Sequence, residues 1–522
     1  MRTLDYQARV LDTLDAYLDA LKLHKVKADK VADLAAQNPD LGLVVPDFPK
    51  AAWDALQGAG RLPASRAVVP YTSHRDGAGR AVPNATLKVP TGGGKTWLAV
   101  NAVSRIMGRY LGKNVGFVLW IVPNEAIYSQ TLKRLKDRQH PYRQALDRAA
   151  AGRVKIMEKG DGLHAADIET HLCVMILMLQ ASNRATKEQL RMFRDRGDVH
   201  GFFPPEGEQQ AHAAHFARTP NLDGYDTDLF PMVKDSLGNA LRLIQPVIVV
   251  DEGQKATSDL AYETLYGFNP LFVLELTATP KDVQANGTRK ARYANLLVEV
   301  MGRELDAEGM IKMPLNLDPR QGTDWRTTLT TALDKLAELG KAANVLRGNT
   351  GRYIRPIMLV QVERTGKETR DGHFVHAEDV KDWLLKAGFD EAVVAIKTAE
   401  QNDLSQPENL DLLSPTNRVR VIITKAALQE GWDCPFAYVL CSLAAGTSLA
   451  ATTQLVGRIL RQPGAVKTNV AALDECYVFT HHASTKDVVQ AIKRGLEQDG
   501  LADLVVHLPG GDGGRHEGFT AD

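Results

Sequence analysis

The chain has 522 residues, with 44% hydrophobic and 24% charged residues, an ordinary globular composition for about three domains of ~150 residues each. Lys+Arg and Asp+Glu both number 63, which excludes a uniformly basic nucleic-acid binder but leaves room for a local basic groove. The four cysteines (Cys173, Cys434, Cys441, Cys476) lie far apart, without the tight C-x2-C pairs of a zinc site, and read as buried reduced thiols.

Residues 2–24 predict an amphipathic helix with Leu4, Leu11, Leu14, Leu18 and Leu21 on one stripe. Charges interrupt it, so it is no signal peptide, and no stretch reaches the ~18 apolar residues of a membrane span. The expected setting is the cytoplasm, with no membrane partner. Residues 66–90 predict strand, turn and strand, with RAVVPY and NATLKVP flanking the turn chemistry of DGAG.

Nearly continuous apolar runs then alternate with helical segments: 115–123, 172–179, 246–252 and 271–280. Such runs suit strands of a parallel sheet with both faces covered. Residues 183–240 are less regular and read as an insertion. Around 302–325 the chain turns polar, with Pro314 and Pro319, and a domain boundary is placed there. A second alternating series follows at 354–363, 391–397, 418–424, 437–443 and 475–480, and the last residues are Gly-rich. The expected class is α/β, with two tandem parallel-sheet domains. The first covers 1–305, a linker 306–330, the second 331–505, and a flexible tail 506–522.

The strand NATLKV runs into PTGGGKT and a helical segment. Glycines at a strand-to-helix junction let backbone N–H groups face phosphate oxygens at a helix N-terminus. Thr91, Gly92, Gly93 and Gly94 form the candidate loop, Lys95 reaches the β- and γ-phosphates, and Thr96 holds Mg²⁺. The strict pattern has a glycine where this chain has Val89, and a plain glycine turn is the bland alternative. Asp251 and Glu252 follow the buried run PVIVV. There an Asp holds Mg²⁺ and a Glu polarises the attacking water, unless the Asp merely caps a helix. Thr277 and Thr279, after another buried run, either bond the acidic pair or cap a turn before Pro280. Gln454, Arg458 and Arg461 are spaced by four and three, which puts them on one helical face. Two guanidiniums there suit a γ-phosphate; a basic amphipathic helix packed through Leu455, Ile459 and Leu460 is the alternative.

Together these strings resemble superfamily 2 helicases and translocases. The match is in motif order: DYQ, PTGGGKT, IVPNEAIYSQ, VVDEGQ, LTATP, LQEGWDCP and QLVGRILRQ. Within that superfamily the chain is most similar to the restriction (Res) subunit of type III restriction-modification enzymes. The resemblance spans roughly residues 1–505 and implies two RecA-like domains with ATP and Mg²⁺ between them. It implies that Gln7 reads adenine, that Gly431 and Asp433 face nucleotide and strand, and that Arg458 and Arg461 are arginine fingers with Gln454 beside them. Gln254, Thr277 and Thr279 would couple hydrolysis to movement, and Pro123, Asn124 and Gln130 would face nucleic acid. Gln254 stands where many relatives have His or Asp, so altered coupling is expected rather than loss.

Type III restriction subunits carry a nuclease with a Glu-x-Lys pair after the motor. No Glu-x-Lys follows Pro463 here, so either a motor that recruits its nuclease or a truncated or split subunit is expected. The implied function is an ATP-dependent DNA translocase or helicase acting on duplex or displaced single-stranded DNA. A modification methyltransferase subunit or a separate nuclease would be its partner. Alternatives are an RNA or DNA-repair helicase, and an ATP-gated nucleic-acid-binding protein that does not translocate. A metal-dependent nuclease finds no site in the sequence.

Overall fold

The structure is a computed structural model. It describes all residues except 1–3, 179–197, 226–229, 254–258, 287–290, 321–323, 367, 369, 371–372, 426–427, 429–431, 433, 445–448, 482–484, 505 and 509–522. Two compact units divide it: Met1–Val89 with Gly94–Val300, and Pro90–Gly93 with Met301–Asp522.

The first unit opens with a helix over Asp5–Gln37. The predicted leucine stripe is buried in full. The helix runs well past residue 24 because Lys, Ala, Asp and Leu continue without a breaker until Pro39. Of the predicted 66–90 hairpin, only β1 (His74–Arg75) and β2 (Ala81–Val82) pair, antiparallel. RAVVPY is not a strand. The Asp76 carboxylate explains the turn, accepting from the backbone N–H groups of Ala78 and Arg80.

The core of this unit is a parallel sheet of seven strands. They are β3 (Asn84–Lys88), β4 (Gly116–Val122), β5 (Val154–Glu158), β7 (Leu172–Met178), β11 (Val247–Asp251), β12 (Phe272–Thr277) and β13 (Leu296–Glu299), in the order β13-β3-β12-β11-β4-β7-β5. β5 and β13 lie outside every predicted run; the predicted runs at 115–123, 172–179, 246–252 and 271–280 are β4, β7, β11 and β12, and NATLKVP holds β3. Their side chains are buried on both faces: Leu119, Met175, Ile248 and Val250 pack with Leu241 and Phe268 on one side. The irregular 183–240 region, where described, holds small ladders. β6 (Leu163–His164) pairs parallel with β8 (Val199–His200), and β9 (Gly224–Tyr225) pairs antiparallel with β10 (Met232–Val233).

The second unit has its own parallel sheet of seven strands. They are β14 (Leu315–Pro319), β15 (Ile357–Gln361), β16 (Val394–Ile396), β17 (Val421–Thr424), β18 (Ala437–Ser442), β19 (Cys476–Thr480) and β20 (Val506–His507), in the order β16-β17-β15-β18-β19-β14-β20. Two tandem α/β units with parallel sheets agree with the expected RecA-like architecture.

The boundaries differ from expectation. The division falls after Val300. Residues 315–319, read as linker, form a strand paired on both sides, with β19 and β20. Pro314 and Pro319 misled the reading, because they mark the ends of a short Leu-x-Leu strand whose leucines are buried. Val506 and His507, read as tail, close the sheet edge. All four cysteines are free and buried, as expected. Among the described residues no helix is long and apolar enough to cross a membrane.

Candidate nucleotide site

Register alone brings three strand ends of the first unit side by side. Thr277 pairs with Lys88, and Asp251 with Leu276, so β3, β12 and β11 end side by side. The phosphate loop follows β3, the Thr277–Thr279 turn follows β12 and the acidic pair follows β11. Carboxyl ends of adjacent parallel strands are where ligands bind in open α/β sheets.

The loop has the backbone that its glycines allow. Gly92 and Gly94 have φ of 87° and 77°, and Gly94 is the N-cap of the helix Lys95–Arg105. Gln7 comes to the same place. It is 3% exposed, and a Cβ at Gly94 would sit 3.0 Å from its Nε2. Residues 7 and 94 thus lie against each other.

Lys95 Nζ lies 2.9 Å from Glu252 Oε1, with both side chains largely buried. Glu252 has φ of 55°, a left-handed backbone that costs a non-glycine residue roughly 1–2 kcal/mol. Backbone of this kind clusters at functional sites. Asp251 is 7% exposed. Burial, reinforced by the neighbouring Glu252 charge and opposed by Lys95, pushes its carboxyl up to about 7. A buried carboxylate that resists ionisation alone, a lysine and a glycine-built helix N-terminus form a donor set suited to a nucleotide phosphate and Mg²⁺. Thr96 is half-buried in the first turn of the helix.

Other candidates are placed less decisively. Thr277 is buried, and its Oγ1 accepts the backbone N–H of Thr279 at 3.1 Å, the turn-capping alternative. Asn124 caps the helix Glu125–Lys136 by accepting from Ile127 N–H at 3.0 Å. Pro123 and Gln130 are half-buried beside it. Gln254, Gly431 and Asp433 lie outside the described residues, as does the side chain of Gln454.

The second unit corrects one expectation. The helix carrying Gln454 and Arg458 spans Leu449–Ile459 and stops before Arg461. Arg461 instead forms an antiparallel bridge with Ile311, so it does not continue the helical face. The spacing of three was read through a helix end that a well-paired extended segment enforces.

Sequence reasoning missed Glu275. It lies half-buried in β12, accepts from Tyr262 O–H at 3.0 Å, and a Cβ at Gly253 would be 3.4 Å from its Oε2. It therefore lies close against Gly253, directly after the acidic pair. Burial raises its pKa, with the Tyr262 bond opposing. The available signal was a lone carboxylate inside the apolar run FVLEL.

Residues 64–282 match the model of a protein family described as type III restriction enzyme, res subunit. This segment is related to the Res subunits. The matched segment contains β3, the loop, the acidic pair and the Thr277–Thr279 turn. No curated protein sequence matches the chain.

Among solved structures, the chain is similar to a fragment of a putative HsdR subunit of a type I restriction enzyme from Vibrio vulnificus YJ016. Identity is 13% and the TM-score 0.38, over 81% of this chain and 64% of that one. It is similar to S. cerevisiae Dbp5 bound to RNA and ADP BeF3, with 12% identity and a TM-score of 0.36, over 82% and 85%. It is also similar to the ATP-dependent type ISP restriction-modification enzyme LlaBIII bound to DNA, with 12% identity and a TM-score of 0.38, over 80% and 28%. The chain thus spans less than two thirds of the first and the last of these proteins.

Proposed function

We propose that the chain is an ATP-driven motor that moves along DNA. The observation that carries this is the Lys95–Glu252 pair beside the buried Asp251, next to a glycine-built helix N-terminus, in a segment related to Res subunits.

In this reading Gly92, Gly93, Gly94 and Thr91 cradle the phosphates, and Gln7 contacts the base. Lys95 leaves Glu252 for the β- and γ-phosphates. Thr96 and Asp251 hold Mg²⁺, which when bound neutralises phosphate charge. Glu252, released from the lysine, orients and polarises the attacking water. Arg458 and Arg461, with Gln454, come from the second unit and stabilise the charge that develops on the γ-phosphate. Hydrolysis then depends on closure of the two units, with Gly431, Asp433, Gln254, Thr277 and Thr279 relaying it to the strand-binding surface. Pro123, Asn124 and Gln130 lie on that surface. Contacts are mostly to phosphates, so binding is sequence-tolerant and salt-sensitive. A methyltransferase subunit or a separate nuclease is the expected partner.

The test is ATP turnover by the full chain at fixed salt, alone and with duplex DNA, single-stranded DNA or RNA, beside a plasmid-cutting assay. DNA-stimulated hydrolysis with uncut plasmid is expected. Stimulation by RNA alone would reassign the substrate, and nucleotide binding without stimulated turnover would leave a gated binding protein.

A further inference from the structure

Lys312 is fully buried, at 0% exposure, in the second unit. An ammonium taken out of water survives only where specific contacts replace its hydration. Here Nζ donates to the carbonyl oxygens of Pro435 at 2.9 Å and Ala437 at 2.7 Å, and lies 4.0 Å from the centre of the Tyr438 ring. Its backbone is held as tightly. Lys312 N–H donates to Leu460 O at 2.5 Å and Gln462 N–H donates to Met310 O at 3.0 Å, on either side of the Ile311–Arg461 bridge. Cys476 Sγ contacts the Lys312 carbonyl oxygen at 3.7 Å.

The segment Met310–Lys312 is therefore a strap with two ends. Its main chain holds Leu460–Gln462, where the chain has left the helix Leu449–Ile459. Its lysine side chain holds Pro435–Ala437, where the LQEGWDCP stretch enters β18. The far side of Gln462 is also fixed: Nε2 donates to Asp474 Oδ1 at 2.7 Å, and that carboxylate accepts from Thr468 and Asn469 backbone N–H groups. Arg461 has thus lost helical support and gained a strand-like mount whose anchor is the Lys312 ammonium.

We infer that Lys312 is a positioning residue for Arg461: it sets the backbone from which the Arg461 guanidinium is aimed, and acts on turnover only through that side chain. This rests on the proposed reading of Arg461 as the group that meets γ-phosphate charge. A misplacement of about 1 Å costs on the order of a hundredfold in rate when a charged group must meet a developing charge.

The experiment is a double-mutant cycle on the full chain, with ATP turnover, equilibrium nucleotide affinity and thermal melting measured for wild type, Lys312→Met, Arg461→Ala and the double variant. Lys312→Met should lower kcat by roughly ten- to a hundredfold, leave nucleotide affinity within about twofold, and add nothing in the Arg461→Ala background. Lys312→Gln keeps two N–H donors and should recover part of the rate; it carries the same cycle should Lys312→Met not fold. An equal further loss of turnover in the Arg461→Ala background would overturn the inference, as would unchanged turnover in Lys312→Met. Failure of both Lys312 variants to fold would overturn it too, in favour of a lysine that only holds the domain together. Arg461→Ala turning over as fast as wild type would instead refute the finger, and with it the reading beneath the inference.

Discussion

Lys95 and Glu252 are each other's partner: Nζ and Oε1 are 2.9 Å apart, and the glutamate is held there by a left-handed backbone. The two groups that the proposed hydrolysis needs on different substrate atoms thus neutralise one another. In the proposed reading, nucleotide phosphate competes with Glu252 for the lysine, which sets a built-in cost on binding and releases the carboxylate only when phosphate arrives.

Glu252→Gln follows directly. The amide keeps the shape but weakens the hold on Lys95. Nucleotide affinity should stay equal or rise, while turnover falls by about a hundredfold or more. Lys95→Ala should lose both. Fluorescent-nucleotide titration and phosphate release, run on the same preparations, decide this; near-normal turnover in Glu252→Gln would remove it from the chemistry.

Gly94→Ala tests the meeting of loop and first helix. A left-handed alanine costs roughly 1–2 kcal/mol, and its Cβ would press on Gln7 Nε2 from 3.0 Å. Melting should drop and nucleotide binding weaken. Gln7→Ala in the same chain should relieve the crowding but not the backbone strain, so the double variant should be less destabilised than the sum of the singles.

His74 gives a pH dependence. It stacks on Tyr266 with ring centres 4.4 Å apart. Burial, with Arg292 nearby, holds its pKa down at about 4 against an ordinary 6.5. Between those values the unfolded chain binds a proton that the folded chain refuses. Stability is therefore full above pH 6.5 and falls as pH drops toward 4, by up to roughly 3 kcal/mol. His74→Phe keeps a stacked ring and should flatten that acid limb in denaturant titrations from pH 7 to 4.5; an unchanged slope would place the proton uptake elsewhere.

Gln361 tests the second sheet. Its Oε1 accepts from Ser442 Oγ at 2.9 Å and Thr452 Oγ1 at 2.7 Å, tying two strands to the helix that carries Arg458. Gln361→Leu leaves two buried hydroxyls without that acceptor and should destabilise by about 2–4 kcal/mol. Gln361→Glu, which retains the oxygen, should be milder above neutral pH only if the carboxyl stays protonated. Urea melts of both variants separate acceptor from charge.

The parts of this molecule visible in the sequence are those with a local signature. Continuous apolar runs marked the central strands of both sheets, because a parallel strand buried on both faces leaves no other pattern; β5, β13, β14 and β20, at or near the sheet edges, carried no such run. PTGGGKT and VVDEG announced their places because turn glycines and strand-end carboxylates sit next to the strands that position them. The missed features depend on distant partners. β14 is a two-leucine strand between prolines, and only β19 and β20 make it a strand. The helix before Arg461 stops because Met310–Lys312 pairs with it from about 150 residues away, a competition that helical spacing cannot register. Lys312 and Glu275 stood out only as single charges in apolar runs, and such a charge gains meaning only from the carbonyls or the hydroxyl that meet it.

The four thiols have a practical consequence. All are buried, and burial pushes Cys173 and Cys476 up to about 12 and Cys441 higher still. Thiolate is the reactive form, so Cys173, Cys441 and Cys476 should react slowly with maleimides and disulfide reagents while the chain is folded. A cysteine introduced at an exposed position, such as Ser129 on the helix after β4, would carry a fluorophore with little background. The native thiols would then serve as a clock for unfolding, labelled only when a sheet opens.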